Sequence, residues 1–265
     1  MKIKNTNIKM VVSDFDGTLL RDGMTKNPTD KFYVILDDML ERNIGFIAAS
    51  GRQYPSLKRM LSKVEKDVGF IAENGSLIVW EGKIIHKISI ANDCAKRVIK
   101  DLQIESEADI YVSGVYTGYV TSNDKMLCDA LKAAGMDIEQ VASFQDVREG
   151  MMKITAIFKN GIPCETKEYY REKYSDELCV VDSGNGWLDF MPKESGKGEA
   201  LKYLAEVAGF SLDETVAFGD QENDITMLKT AKIGYAMNTA YDHVKAVADD
   251  TCDEVEEVLW KALYE

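Results

Sequence analysis

Histidine is almost missing from this 265-residue chain: His86 and His243 are its only two. That scarcity argues against serine–histidine triads and histidine-rich zinc sites, and leaves acid–base chemistry to carboxylates and lysine. Cysteine is sparse as well. Cys94, Cys128, Cys164, Cys179 and Cys252 are odd in number, widely spaced and without a C-x-x-C pair. Such a pattern speaks against a disulfide framework or a cysteine zinc site, and for reduced thiols in a cytoplasmic protein. With 4 prolines in all, a long low-complexity linker is not expected. No apolar run approaches the roughly 20 residues of a membrane helix. Met1–Met10 alternates polar and apolar residues and lacks the apolar core of a secretory leader. Basic clusters are missing too. Asp and Glu number 45 against 32 Lys and Arg, a net charge of −13, which repels nucleic-acid phosphates and anionic membranes. An anionic ligand therefore has to be held by a focused site, with a metal ion as its natural ally.

What is present is a rhythm. Lys9–Ser13 is a short β-branched apolar run followed by an acidic, glycine-bearing loop. Pro28–Arg42 places Phe32, Ile35, Leu36, Met39 and Leu40 on one helical face. Strand signals return at Ile44–Ala49 and Val68–Ala72, with a helix over Tyr54–Val64 between them. This β-α-β-α-β order predicts a parallel sheet with right-handed crossovers. Leu77–Trp80 and Lys83–His86 then read as a hairpin about Glu81-Gly82, and Tyr111-Val112 and Tyr119-Val120 as a second. After about Phe190 the β-α rhythm resumes. The fold class expected is a doubly wound, Rossmann-like α/β core, residues 1–83 and 190–265, with an α+β cap domain inserted at 84–189.

Four polar clusters each follow a core strand, and ligands of open α/β sheets bind at the carboxyl ends of strands. The clusters should therefore converge. Asp14-Phe-Asp16-Gly-Thr18 offers two carboxylates: hard oxygen ligands for Mg²⁺, a nucleophile with a proton carrier, or simply solvated acids at a D-G turn. Ser50-Gly51-Arg52 provides a hydroxyl and N–H groups suited to an anion, though an ordinary helix cap would look the same. Ser195-Gly-Lys197-Gly198 invites a P-loop reading that fails twice. Met191 stands where the first glycine is required and Gly198 where Ser or Thr is. Gly219-Asp220-Gln-Glu-Asn223-Asp224 carries more acid than helix capping needs.

In order and strand context the four clusters resemble the motifs of the haloacid dehalogenase-like hydrolase superfamily. The match is nearest to Cof-type phosphatases with a large α/β cap. Ile71-Ala-Glu-Asn-Gly75, Asp224-Ile-Thr-Met-Leu228 and Gly234-Tyr-Ala-Met-Asn238 match as well. The resemblance implies that Asp14 is the nucleophile and Asp16 the acid, then base. It implies that Ser50, Gly51, Lys197 and Asn223 hold the phosphoryl group. Asp14, Asp16 (through its backbone carbonyl) and Asp220 would ligate Mg²⁺, with Asp224 supporting them from behind.

The activity expected is Mg²⁺-dependent hydrolysis of a small phosphorylated metabolite, a sugar phosphate or phosphorylated cofactor, by a cytoplasmic monomer or homodimer. The alternatives are a phosphotransferase or mutase using the same aspartate, or a non-catalytic Mg²⁺- and phosphate-binding regulator. The cap should close over the site. Tyr116, Tyr119, Asn185 and Trp187 occupy its loops and hairpin tips, where packing is the commoner role for aromatic residues.

Overall fold

The computed structural model describes residues 7–20, 27–105, 107–121, 123–184 and 186–265; Met1–Thr6 and Asn185 lie outside them. In chain order the strands and helices begin with β1 (Met10–Asp14), α1 (Asp30–Glu41), β2 (Gly45–Ala49), α2 (Tyr54–Met60), β3 (Gly69–Ala72), β4 (Leu77–Trp80) and β5 (Lys83–Lys87). Next come α3 (Asn92–Glu105), β6 (Asp109–Ser113), β7 (Gly118–Val120), α4 (Lys125–Ala133), β8 (Ile138–Gln140), β9 (Lys153–Ile157), α5 (Cys164–Lys173), β10 (Leu178–Asp182) and β11 (Trp187–Pro192). The chain closes with α6 (Lys197–Ala208), β12 (Thr215–Gly219), α7 (Ile225–Thr230), β13 (Ile233–Met237), α8 (Asp242–Lys245), β14 (Asp250–Cys252) and α9 (Val255–Tyr264).

The chain divides into two compact units: Met1–Gly51, Leu57–His86 and Gly196–Glu265 form one, Arg52–Ser56 and Lys87–Ser195 the other. The first is built on an 8-stranded sheet ordered β14-β13-β12-β1-β2-β3-β4-β5. Its central strands are parallel, and β4 turns back antiparallel to β3. β1 is buried along its whole length, as are β12 and β13, which explains why these strands read as continuous apolar runs. From β1 the chain order runs outward in opposite directions, to β2 and β3 on one side and to β12 and β13 on the other. The switch point therefore falls at the carboxyl end of β1, at Asp14.

Helix α1 shows how sequence sets the frame. Thr29 caps it, its hydroxyl accepting from Phe32 N–H at 3.0 Å, and Phe32, Ile35, Leu36 and Met39 bury one face at helical spacing. The hairpin at Glu81-Gly82 has left-handed backbone at both turn residues, φ 50° and 70°, the geometry that fits the twist of its strands.

The second unit carries a 6-stranded sheet ordered β10-β11-β9-β6-β7-β8, antiparallel except where β7 meets β8. Strand alternation gives it two cores. On one face Ile110, Val112, Ile154, Leu188 and Phe190 pack with Cys94, Val98 and Leu102 of α3 and Tyr170 of α5. On the other, Tyr111, Val120 and Ile157 pack with Leu127 and Leu131 of α4. The return to the first unit comes at Gly196, where the sequence reading placed it at residue 190. The difference has a simple cause. Trp187–Pro192 is one of six strands in the second sheet, pairing with β9 and β10, and an isolated apolar strand does not announce which sheet it joins.

Candidate active site

The clusters at Asp14, Ser50 and Asp220 lie at the carboxyl ends of β1, β2 and β12; the Lys197 cluster, expected after a core strand as well, instead follows β11 of the second sheet and opens α6. Asp14 ends β1 and is buried. The chain then folds back tightly, with Gly17 N–H donating to the Leu20 carbonyl and Leu20 N–H to the Phe15 carbonyl. Gly17 has φ +86°, and a Cβ there would run into the Asp220 carboxylate. Only glycine lets this loop lie against the strand β12 cluster. Thr18, just beyond, donates its hydroxyl to Asp220 Oδ1 at 2.9 Å.

Lys197 opens α6 and is fully buried, the reverse of the solvated lysine that a glycine-rich turn suggests. Its ammonium reaches Asp14 Oδ1 at 2.5 Å and Asp224 Oδ1 at 2.6 Å. Asp224 is fully engaged, since its Oδ2 accepts from the N–H groups of Asp220 and Gln221, both at 3.0 Å. Gln221 in turn donates to Asp220 Oδ2 at 3.0 Å. Asp14 Oδ2, by contrast, is buried and has no hydrogen-bond partner.

Electrostatics follow from this crowding. Burial above all, then the charges of Asp224 and Asp220, push the Asp14 carboxyl well above the usual carboxylate range against the pull of Lys197. Burial and then Asp224 raise Asp220 in the same way. For Lys197, burial alone would favour the neutral amine, but Asp14 and Asp224 outweigh it and hold the ammonium above the usual lysine range. The site is short of positive charge.

Oxygens of Asp14, Asp220 and Asp224 all fall within 4.8 Å of one another, a set that could hold a metal ion. Asp16, half-buried two residues past Asp14, contributes no carboxylate to that group. The anion-binding candidates gather around one residue the sequence reading gave no role. Asn74, in the turn after β3, accepts at Oδ1 from Asn223 Nδ2 at 2.8 Å and donates its N–H to the Ser50 carbonyl at 3.0 Å. Gly51 lies beside the same side chain. Thr18, Gln221 and Asn74 were all in view as parts of quoted motifs. The signal for Asn74 was the Asn-Gly pair directly after an apolar strand.

In the second unit Tyr119 donates its hydroxyl to Glu149 Oε1 at 2.7 Å, and the N–H groups of Val115 and Tyr116 donate to Glu149 Oε2 at 2.8 and 3.2 Å. Tyr119 is thus part of the clasp on its own hairpin, and Trp187 packs on the α4 core. Tyr116 is exposed. His86 lies against the Tyr203 ring and His243 faces Glu222 at the surface.

The model of the haloacid dehalogenase-like hydrolase family matches residues 11–262. The chain belongs to this family. Among curated proteins the hydrolase is 29% identical to the 5-amino-6-(5-phospho-D-ribitylamino)uracil phosphatase YbjI of Escherichia coli, over 91% of this chain and 89% of that protein. It is 26% identical to phosphatase YwpJ of Bacillus subtilis, over 91% and 93%. Of solved structures, SMU.1108c from Streptococcus mutans superposes with a TM-score of 0.86 at 29% identity, covering 97% of this chain and all of that one. This haloacid dehalogenase-like hydrolase is of the Cof type, an enzyme of the class that hydrolyses phosphoric monoesters. Among the described residues no helix is long and apolar enough to cross a membrane.

Proposed function

We propose that this hydrolase is a Mg²⁺-dependent phosphatase of small organic phosphates, sugar phosphates or phosphorylated cofactors, and that it works through an aspartyl-phosphate on Asp14. One observation carries the reading. Asp14 has one oxygen clamped by Lys197 and the other buried without a partner. A desolvated, oriented and unpaired carboxylate oxygen is what attack on phosphorus requires.

The residues fit a hard divalent cation. Three carboxylates are buried together and Lys197 bonds two of them; the raised proton affinity of Asp14 and Asp220 is the mark of a site that a cation would relax. Asp14, Asp220 and the Asp16 backbone carbonyl would hold Mg²⁺, with Asp224 supporting them through Lys197 and the 220–221 backbone. When bound, the ion supplies positive charge that offsets the repulsion between a carboxylate and a phosphate dianion.

The chain's own groups do the rest. The Ser50 hydroxyl, Gly51 N–H, Lys197 and Asn223 bind and orient the phosphoryl oxygens. Asp14 Oδ2 attacks phosphorus as the bond to the leaving alcohol breaks, and Asp16 gives that alcohol its proton. Asp16, now a carboxylate, takes a proton from water as the water oxygen attacks phosphorus, and Asp14 is released with inorganic phosphate. One carboxylate acting first as acid and then as base needs no histidine, in keeping with a chain that has 2. YbjI is named for a phosphorylated ribityl-uracil, so polyol phosphates on heterocycles belong in a substrate panel beside sugar phosphates.

The test is hydrolysis of p-nitrophenyl phosphate with Mg²⁺ or with chelator. Activity is expected only with the metal, and Asp14→Asn is expected to lower kcat by about 10,000-fold, on the scale of losing a nucleophile. Undiminished turnover in Asp14→Asn would overturn the reading.

A further inference from the structure

We propose that Asn74 is a positioning residue of the phosphoryl site, fixing the Asn223 amide and the Ser50–Gly51 turn in one arrangement; the inference rests on the phosphatase reading above. Asn74 sits in the turn that follows β3, and its neighbours on either side share an unusual backbone. Glu73, Asn74 and Gly75 have φ of 50°, 55° and 100°, three successive residues in left-handed territory. Such conformations are costly for side-chain-bearing residues and persist where the surroundings over-determine them. Asparagine is among the residues that tolerate this backbone best.

What the strained turn achieves is placement. Strand pairing sets Ala49 beside Ile71, so the turns leaving β2 and β3 emerge side by side. Ser50 N–H donates to the Ile71 carbonyl at 2.8 Å and Asn74 N–H returns to the Ser50 carbonyl at 3.0 Å. The two turns are thereby sewn together at the backbone. Asn74 is almost wholly buried, and its amide lies flat on Gly51, where an added Cβ would sit 3.0 Å from Oδ1. From there Oδ1 accepts from Asn223 Nδ2 at 2.8 Å.

Asn223 needs that anchor. Its side chain is at an exposed rim, where a free amide samples several rotamers and loses entropy on binding a ligand. Held by Asn74, one amide hydrogen is committed and the rest of the group is already aimed. A single buried side chain thus links the β2 turn, which carries Ser50 and Gly51, to the β12 loop, which carries Asn223.

The test reads phosphate affinity, with inorganic phosphate as competitive inhibitor of p-nitrophenyl phosphate hydrolysis. Asn74→Gly keeps the left-handed backbone and removes the amide. We expect its inhibition constant for phosphate and its KM to rise about tenfold, the scale of one hydrogen bond, while Asn223→Ala raises them as much. Because the Asn74 amide acts through Asn223, while the backbone N–H that ties Asn74 to the Ser50 carbonyl is kept in Asn74→Gly, the double variant of Asn74→Gly with Asn223→Ala should be no worse than Asn223→Ala alone. Asn74→Asp is the second variant. It keeps size and left-handed tolerance but sets a charge beside the phosphate, and should weaken phosphate more than Asn74→Gly does. An unchanged inhibition constant in both Asn74 variants, or a double variant whose losses simply multiply, would overturn the role. If the wild-type chain shows no Mg²⁺-dependent hydrolysis, the phosphatase reading itself falls; normal hydrolysis with phosphate binding indifferent to residue 74 defeats the positioning role alone.

Discussion

Each unit of the molecule buries a lysine against aspartate, and the two arrangements differ in balance. In the second unit Lys153 lies 3.6 Å from Asp189 Oδ2, both side chains almost fully buried. Asp189 is also satisfied on each oxygen, by Thr155 at 2.5 Å and Ser183 at 2.7 Å. Lys153, Thr155 and Ser183 all face this one carboxylate: a closed polar knot joining β9 and β11. In the first unit Lys197 faces Asp14 and Asp224 with Asp220 close by, and Asp14 Oδ2 has no hydrogen-bond partner. The closed knot is structural. The open one, deficient in positive charge, is where the proposed mechanism puts a cation and a phosphoryl group. Buried charge alone therefore says little about function; the balance of charge and the unpaired atom decide.

Substitution should separate the two sharply. Lys197→Ala removes the positive charge that clamps Asp14 and that, in the proposed mechanism, stabilises the transition state, and kcat is expected to fall by about 1,000-fold; steady-state kinetics at saturating Mg²⁺ would read it, and a change smaller than tenfold would count against an open, catalytic cluster. Asp189→Ala removes the buried carboxylate that faces Lys153. It should destabilise the second unit by about 3 kcal/mol, read by hydrogen exchange at the amides of β9 and β11. Replacing both partners with apolar residues of similar size should recover most of that loss, as expected of a pair whose role is packing.

How much of this was legible in the sequence depends on the range of the interaction. The core strands were legible because a strand buried on both faces must be apolar throughout, and α1 because Phe32, Ile35, Leu36 and Met39 repeat at its period. The clusters were legible because glycine beside charged or hydroxyl side chains follows an apolar strand. Relations between clusters were not. Thr18 finds Asp220 across 202 residues and Asn223 finds Asn74 across 149, and no local pattern encodes such a pairing. For the same reason nothing in the Gly-Lys-Gly turn itself showed that Lys197 is buried between two aspartates. A 3-10 turn over Glu222–Asp224 precedes α7, and the Asp224 carboxylate is turned back onto the 220–221 backbone.

Acid should touch the second unit through carboxylates other than Asp189. Burial alone would raise the Asp101 carboxyl, but hydrogen bonds from Lys173 and Tyr174 outweigh it and hold it below the usual range. The Gly184 N–H, then Lys167, depress Asp182. A depressed carboxylate contributes stability that is complete above its unfolded value of about 3.9 and is lost as pH falls through the folded value. Urea midpoints for the second unit should therefore be flat from neutral pH to about 4 and decline below it, with a shallower decline in Asp101→Asn plus Asp182→Asn. An equal slope in that variant would refute the assignment.

The smallest contrast concerns thiols. Cys252 in β14 is buried, and burial, then Asp253 and Asp250, push its thiol up to about 12. Burial and then Glu177 raise Cys94 as well. Cys164 and Cys179, both in the second unit, are exposed. With a disulfide reagent at mildly alkaline pH those two should label first, while Cys252 and Cys94 should react only on unfolding.

Asp14 as the atom that takes the phosphoryl group can be tested without inference from rates. Acid quenching during turnover of a radiolabelled phosphate monoester, followed by peptide mapping, should recover hydroxylamine-sensitive label on the peptide that contains Asp14. Label on any other peptide, or none from an enzyme that is turning over, would contradict the account.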